Sequence, residues 1–197
     1  VSSNEIERQN RELQRLATRD PLTGCLNRRA FHAAFGPLFD AARGDGAALS
    51  CVMLDIDHFK SINDNHGHAI GDRVIQEVAK KLIESARGTD LVCRYGGEEF
   101  CVVVPGMDRV AAAEFAERLR LRIERECGAA VRGVSGLRGT ASVGVELLSR
   151  QADSTAALIE RADQALYEAK RGGRNRIRVS AAPSREDAAK PSLRVVR

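Results

Sequence analysis

Asp55 closes an apolar run, residues 47–54, with the length and composition of a buried strand. A carboxylate at the end of such a strand loses water on one side and faces a loop on the other. That placement is costly unless a cation or a donor compensates it. Two more carboxylates, Glu98 and Glu99, follow Gly96-Gly97 between two strand-like runs, 91–95 and 100–104. If the 47–55 strand lies beside that pair, three carboxylates converge at one edge of the sheet. Their mutual repulsion then calls for a hard divalent cation, Mg²⁺ or Mn²⁺. Spacing alone is equally compatible with two glutamates that solubilise a turn. Just past Asp55, Phe59-Lys60 with Ser61, Asn63 and Asp64 supplies a cation and backbone N–H groups, which suit an anion at a strand end. Near the other end of the chain, Lys170 and Arg174 flank Gly172-Gly173 after a helical pattern. They either complement the helix dipole or clamp phosphates, the arginine in a bidentate manner.

Helices and strands must bring these residues together. Residues 4–19 place Ile6, Leu13, Leu16 and Ala17 in a narrow apolar stripe among charges, the pattern of a helix that pairs with a second helix. Asp20-Pro21 ends it, Pro21-Leu22-Thr23-Gly24 turns, and Asn27 caps a helix running to about Arg43. After the 47–55 strand comes a polar loop with Asn63, Asp64, Asn65, Gly67 and Gly71, then a helix from about Asp72 to Ala86. The 91–95 and 100–104 strands form a β-hairpin around Gly96-Gly97-Glu98-Glu99. Residues 108–127 are a long amphipathic helix, 137–148 a strand with a glycine irregularity, 154–170 a last helix, and 175–179 a closing strand. The expected fold is α/β of the α+β kind, a ferredoxin-like sheet, mixed but mainly antiparallel, flanked by helices. The expected parts are a linker helix over 1–19 with coiled-coil character, a domain over 20–179, and a disordered basic tail over 180–197.

The chain has 197 residues, 43% hydrophobic and 29% charged, which suits one soluble domain with short appendages. No apolar run approaches the roughly 20 residues that span a bilayer, and the N-terminus does not read as a signal peptide. The first residue is Val1, so a fragment is expected, with a sensor or membrane segment upstream. The formal net charge is +4, but residues 171–197 carry +6 of it, leaving −2 for 1–170. The basicity thus belongs to a solvated tail, and no aromatic-interleaved basic patch argues for nucleic acid. Five cysteines without a C-x-x-C pair, three of them (Cys51, Cys93, Cys101) in apolar runs, point to a reducing, cytoplasmic setting and away from zinc or disulfides. His58, His66 and His68 read as loop polarity rather than as a metal cluster.

Several blocks in order carry a family resemblance. Gly96-Gly97-Glu98-Glu99-Phe100 resembles the signature of the GGDEF family in its GGEEF form. Asp20-Pro21-Leu22-Thr23-Gly24-Cys25-Leu26-Asn27-Arg28 resembles that family's opening segment, with Cys25 where leucine is usual. Asp55-Ile56-Asp57-His58-Phe59-Lys60-Ser61-Ile62-Asn63-Asp64, with Gly67-His68 and Gly71-Asp72, is similar to its metal and nucleotide segment. Ala141-Ser142-Val143-Gly144-Val145 and Ala162-Asp163-Gln164-Ala165-Leu166-Tyr167 through Asn175 resemble its later blocks. The resemblance implies the fold of nucleotide cyclase catalytic domains and a diguanylate cyclase, which condenses two GTP into cyclic di-GMP and two pyrophosphates. It implies divalent metals, two per site, on Asp55, Glu98 and the Ile56 carbonyl, with Glu98 and Glu99 as catalytic carboxylates. Asn63 and Asp72 would read guanine, and Lys60, Lys170 and Arg174, with backbone N–H groups near His58 and Phe59, would hold the triphosphate. One GTP per domain implies a homodimer about a two-fold axis.

Arg87-Gly88-Thr89-Asp90 lies shortly before Gly96, where relatives of this family carry an R-x-x-D site at which cyclic di-GMP inhibits. Arg150-Gln151-Ala152-Asp153 also satisfies the bare pattern, so only position singles out Arg87 and Asp90. A silent nucleotide-binding module is the competing reading. The intact Asp55, Asn63, Glu98 and Glu99 argue against it.

Overall fold

The computed structural model describes residues 2–149 and 154–181. Along the chain run α1 (Ser3–Thr18), α2 (Arg28–Asp45), β1 (Leu49–Ile56), α3 (Phe59–His66), α4 (His68–Ser85), β2 (Leu91–Arg94), β3 (Glu99–Pro105), α5 (Arg109–Ala130), β4 (Ala141–Leu147), α6 (Thr155–Arg171) and β5 (Ile177–Val179). β1 is buried at all eight positions because it is the middle strand of the order β2-β3-β1-β4-β5, with helices on both faces. That double burial explains a continuous apolar run where a half-exposed strand would alternate. β1 pairs antiparallel with β3 and with β4, β2 and β3 form the hairpin, and β5 adds parallel to β4. The crossovers β1–α3–α4–β2 and β3–α5–β4 complete the ferredoxin-like arrangement.

Strand pleating divides the core in two. Val52, Leu54 and Ile56 join Val74 and Val78 of α4 and Phe115 and Leu119 of α5 on one face. Cys51 and Met53 join Phe31, Phe35 and Phe39 of α2 and Leu158 and Leu166 of α6 on the other. Each buried phenylalanine of α2 contributes about 2 kcal/mol by apolar burial. α1 lies outside both clusters and has no buried residue. Asn27 ties its end to the domain: the side-chain oxygen caps α2 at Ala30 N, and the amide donates to the Ala17 carbonyl, both at 2.9 Å.

Two expectations are corrected. The segment read as a polar loop is helical: α3 spans it and α4 begins at His68, before Gly71. Ile62 anchors α3 in the core, Lys60 and Asp64 pair along it at 2.8 Å, and Gly71 serves close contact between the helices. A Cβ at Gly71 would lie 1.8 Å from Asn63 Oδ1. The strand expected over 137–148 is shorter, β4 covering Ala141–Leu147, and within it the expected glycine irregularity is absent, since β4 stays in register with β1 through Gly144. Gly144 instead admits α6, since a Cβ there would meet the Ala162 carbonyl at 2.1 Å and Leu166 N at 2.2 Å. Among the described residues no helix is long and apolar enough to cross a membrane. Residues 182–197 of the expected tail, and the alternative Arg150–Asp153 pattern, lie outside the described residues.

Candidate active site

Asp55 stands at the C-terminal end of β1, opposite Glu99 on β3 and Ser142 on β4. Its side chain is 11% exposed, and Lys170 Nζ lies 2.8 Å from Oδ2. Burial pushes the Asp55 carboxyl up to about 6; Lys170 opposes that shift, and the charges of Glu98 and Glu99 add to it. The hairpin turn is fastened to the same strand end, because Ile56 N donates to the Glu98 carbonyl at 3.3 Å. Arg94 braces it from behind: Nε and Nη2 donate to the Gly97 carbonyl at 3.1 and 2.8 Å, and Nη1 reaches Asp20 at 3.2 Å. Asp20 also accepts from Thr23, so the turn after α1 and the hairpin turn share one ion pair.

A cleft of about 210 Å³ opens beside this point. Asp55, Ile56, Asp57, His58, Phe59, Lys60, Glu98, Lys170 and Arg174 line it, all but Asp57 read from the sequence as site residues. Glu99 does not. Adjacent residues of an extended chain send side chains apart, and Glu99 lines a separate cleft of about 350 Å³ with His32, Met53 and Tyr95. The three expected carboxylates do stand at one end of the sheet, but they line two clefts: the partner of Asp55 is Lys170, and the described residues hold no group of three or more acidic, histidine or cysteine side chains placed to share a metal. The cleft nonetheless fits a divalent cation. A desolvated carboxylate, a second carboxylate and a backbone carbonyl form a hard-oxygen set whose negative charge a cation would offset.

His58 takes a left-handed conformation at φ 54° immediately before α3, so the first turn of that helix starts at the cleft. Asn63 and Asp72 lie outside the cleft, on α3 and α4. The Asn63 side-chain oxygen is buried against Gly71 without a hydrogen-bond partner, and Asp72 is exposed beside it in sequence. Arg87 and Asp90 sit near the Pro105 end of β3, away from the turn. Arg87 Nη2 donates to Asp90 Oδ1 at 2.8 Å and to the Pro105 carbonyl at 2.6 Å, and the Asp90 side chain is fully buried.

Sequence reading gave Asp57 and Arg94 no role. Asp57, 4% exposed, accepts from Thr140 Oγ1 at 2.7 Å, Ser142 Oγ at 2.6 Å and Asn175 N at 2.9 Å. The second aspartate of Asp55-Ile56-Asp57 thus clasps β4 and the segment after α6 to the end of β1. The alternation of the two aspartates around an apolar residue was the available signal, since it sends both carboxylates to one side.

The family described as diguanylate cyclase, GGDEF domain, matches residues 17–176. The chain is 41% identical over 162 residues to the response regulator PleD of Caulobacter vibrioides, covering 82% of this chain and 36% of that protein. It is 42% identical over 178 residues to the diguanylate cyclase VdcA of Vibrio cholerae, covering 87% and 50%. Among solved structures, the coiled coil and GGDEF domain of DgcB from Caulobacter crescentus in complex with c-di-GMP superposes with a TM-score of 0.80 at 35% identity, covering 91% of this chain and 95% of that one. The active GGEEF domain of a Vibrio cholerae diguanylate cyclase gives 0.73 at 34%, covering 80% and 98%. This chain belongs to the GGDEF diguanylate cyclase domain family. It spans about a third to a half of the length of these two curated relatives.

Proposed function

We propose that the domain is a diguanylate cyclase that condenses two GTP into cyclic di-GMP with release of two pyrophosphates. The observation that carries this reading is the 210 Å³ cleft, where the GGEEF turn, the carboxylate of β1 and three cations meet. Asp55, Glu98 and the Ile56 carbonyl would hold Mg²⁺ or Mn²⁺, two per site. When bound, the metal supplies charge neutralisation on the transferring phosphoryl group and acidifies the attacking hydroxyl. Lys60, Lys170 and Arg174 bind the triphosphate, together with N–H groups near His58 and Phe59. The unpartnered Asn63 side chain and the exposed Asp72 read guanine, whose ring N–H donors match a carboxylate as adenine's edge does not. In each of two steps a 3′-hydroxyl oxygen bonds to the α-phosphorus of the other GTP, and the α–β bridging bond breaks. The hydroxyl proton passes to a hairpin carboxylate; of the two candidates, Glu98 and Glu99, Glu98 is the one that lines this cleft.

Each domain supplies one GTP, so two must face each other. The α1 stripe is suited to that pairing: Ile6, Leu13 and Leu16 are 49%, 63% and 60% exposed. Arg87 and Asp90 form the proposed inhibitory site for cyclic di-GMP, at the far end of the hairpin from the cleft. Solved relatives carry c-di-GMP, which supports recognition of the product by this fold. Five free, buried cysteines suit a cytoplasmic setting.

The test is chromatographic product analysis after incubation with GTP and Mg²⁺, beside the Glu98→Ala, Glu99→Ala double variant. Cyclic di-GMP from the parent alone is expected, with inhibition by added product relieved in Arg87→Ala. A folded, dimeric parent that forms no product would overturn the assignment.

A further inference from the structure

After α6 the backbone takes three successive positive φ values: Gly173 at 114°, Arg174 at 62° and Asn175 at 43°. Two of these residues carry side chains that disfavour this region, so something outside the segment must hold it there. Arg174 faces the cleft, its own N–H donating to the Ala169 carbonyl of α6 at 3.1 Å; Asn175 faces away and makes the attachments to β1 and α5. Its backbone N–H donates to Asp57 Oδ2 at 2.9 Å. Its side-chain oxygen accepts from Arg120 Nη1 at 2.7 Å, and its amide nitrogen donates to Glu124 Oε1 at 2.8 Å.

Both anchors are themselves fixed. Thr140 and Ser142 hold Asp57 on the strand end that carries Asp55. Arg120, 9% exposed on α5, is gripped by Glu117 at 2.7 Å and Glu124 at 2.8 Å. The Asn175 amide, followed by Arg120, holds the Glu124 carboxyl below its usual range, so the amide bonds a charged acceptor. The segment is thus referenced on one side to β1 and on the other to α5. Asparagine is also the side-chain-bearing residue that best tolerates the left-handed region.

We infer that Asn175 is a positioning residue for nucleotide binding, which sets Arg174 at the phosphate end of the cleft through its contacts with Asp57, Arg120 and Glu124. The inference rests on the GTP reading above. It differs from a purely structural staple in one respect: the effect of Asn175 on nucleotide affinity must pass through the Arg174 side chain.

A double-mutant cycle tests that route. Binding of α,β-methylene GTP with Mg²⁺ is measured by calorimetry on the parent, Asn175→Ala, Arg174→Ala and the double variant, with a thermal midpoint for each. Asn175→Ala is expected to weaken binding about tenfold in the parent, as loss of one charge-assisted contact does, and less than about twofold in the Arg174→Ala background. Asn175→Gly keeps left-handed freedom and the N–H to Asp57, so its loss should be smaller than that of Asn175→Ala. It replaces the alanine variant in the cycle if the latter is poorly folded. Equal losses in both backgrounds overturn the inference while leaving the GTP reading intact. A folded parent that does not bind the analogue overturns both.

Discussion

Burial raises the Asp55 carboxyl to about 6 even though the Lys170 ammonium lies 2.8 Å away, so one cation offsets only part of the desolvation. In metal-free protein this has a definite sign. The folded chain holds the Asp55 proton more tightly than the unfolded chain, whose aspartates titrate near 3.9, so the contribution of Asp55 to stability falls as pH rises from about 4 to about 6. Urea unfolding in EDTA should show the parent losing stability relative to Asp55→Asn across this window; parallel profiles would show that the group titrates alike in both states. The residues that ended elements or broke their apolar patterns, such as Asp55, Glu98, Lys170 and Arg174, were legible in the sequence. The residues that hold them were less so. Asp57 meets the Asn175 backbone 118 positions away, Arg94 meets Asp20 across 74, and Arg120 meets Asn175 across 55. No local pattern encodes such partners; only the sheet order brings them together.

At the scale of elements, two glycines show why part of the fold was misread. Glycine and asparagine in 63–71 suggest a loop by composition, yet Gly71 lies inside α4 so that Asn63 of α3 can press against it. Gly144 lies inside β4 so that α6 can press against the strand. The two should answer substitution differently. Gly144→Ala places a methyl group against backbone atoms that cannot turn aside, and a loss of about 1–3 kcal/mol in unfolding free energy is expected. Gly71→Ala meets the end of a side chain, Asn63, which can rotate away. It should cost less stability and instead raise KM for GTP, with kcat less affected. Chemical denaturation and initial-rate kinetics on both variants check the contrast. The strongly periodic elements, α2, α4 beyond Gly71, α5 and the hairpin, followed their apolar spacing closely, because burial on one face decides both the pattern and the structure.

The described residues form one sheet with a helix layer on each face, and α1, which has no buried residue, is tied to them at Asn27 and through the shared ion pair of Asp20 with Arg94. The sheet order was expected only as a class; β5 adds parallel to β4 just after the clasp of Asn175 on Asp57, a contact not visible in sequence. The cysteines offer a further use of the same architecture. All five are 0% exposed, and burial pushes the thiols of Cys93 and Cys127 up to about 12. Cys25 and Cys127 belong to one core layer, and Cys51, Cys93 and Cys101 to the other. The chain therefore contains concealed chemical clocks on both faces, silent until the packing above them opens. Because both layers rest on the same strands, maleimide labelling in mild denaturant should give molecules with no label or five, read by intact mass. A population stopped at two or three would mean that one face of the sheet breathes without the other. With the native thiols silent, a single cysteine introduced on the exposed side of α1 would accept a fluorophore alone, and the encounter of two such chains could be timed without removing any cysteine from the core.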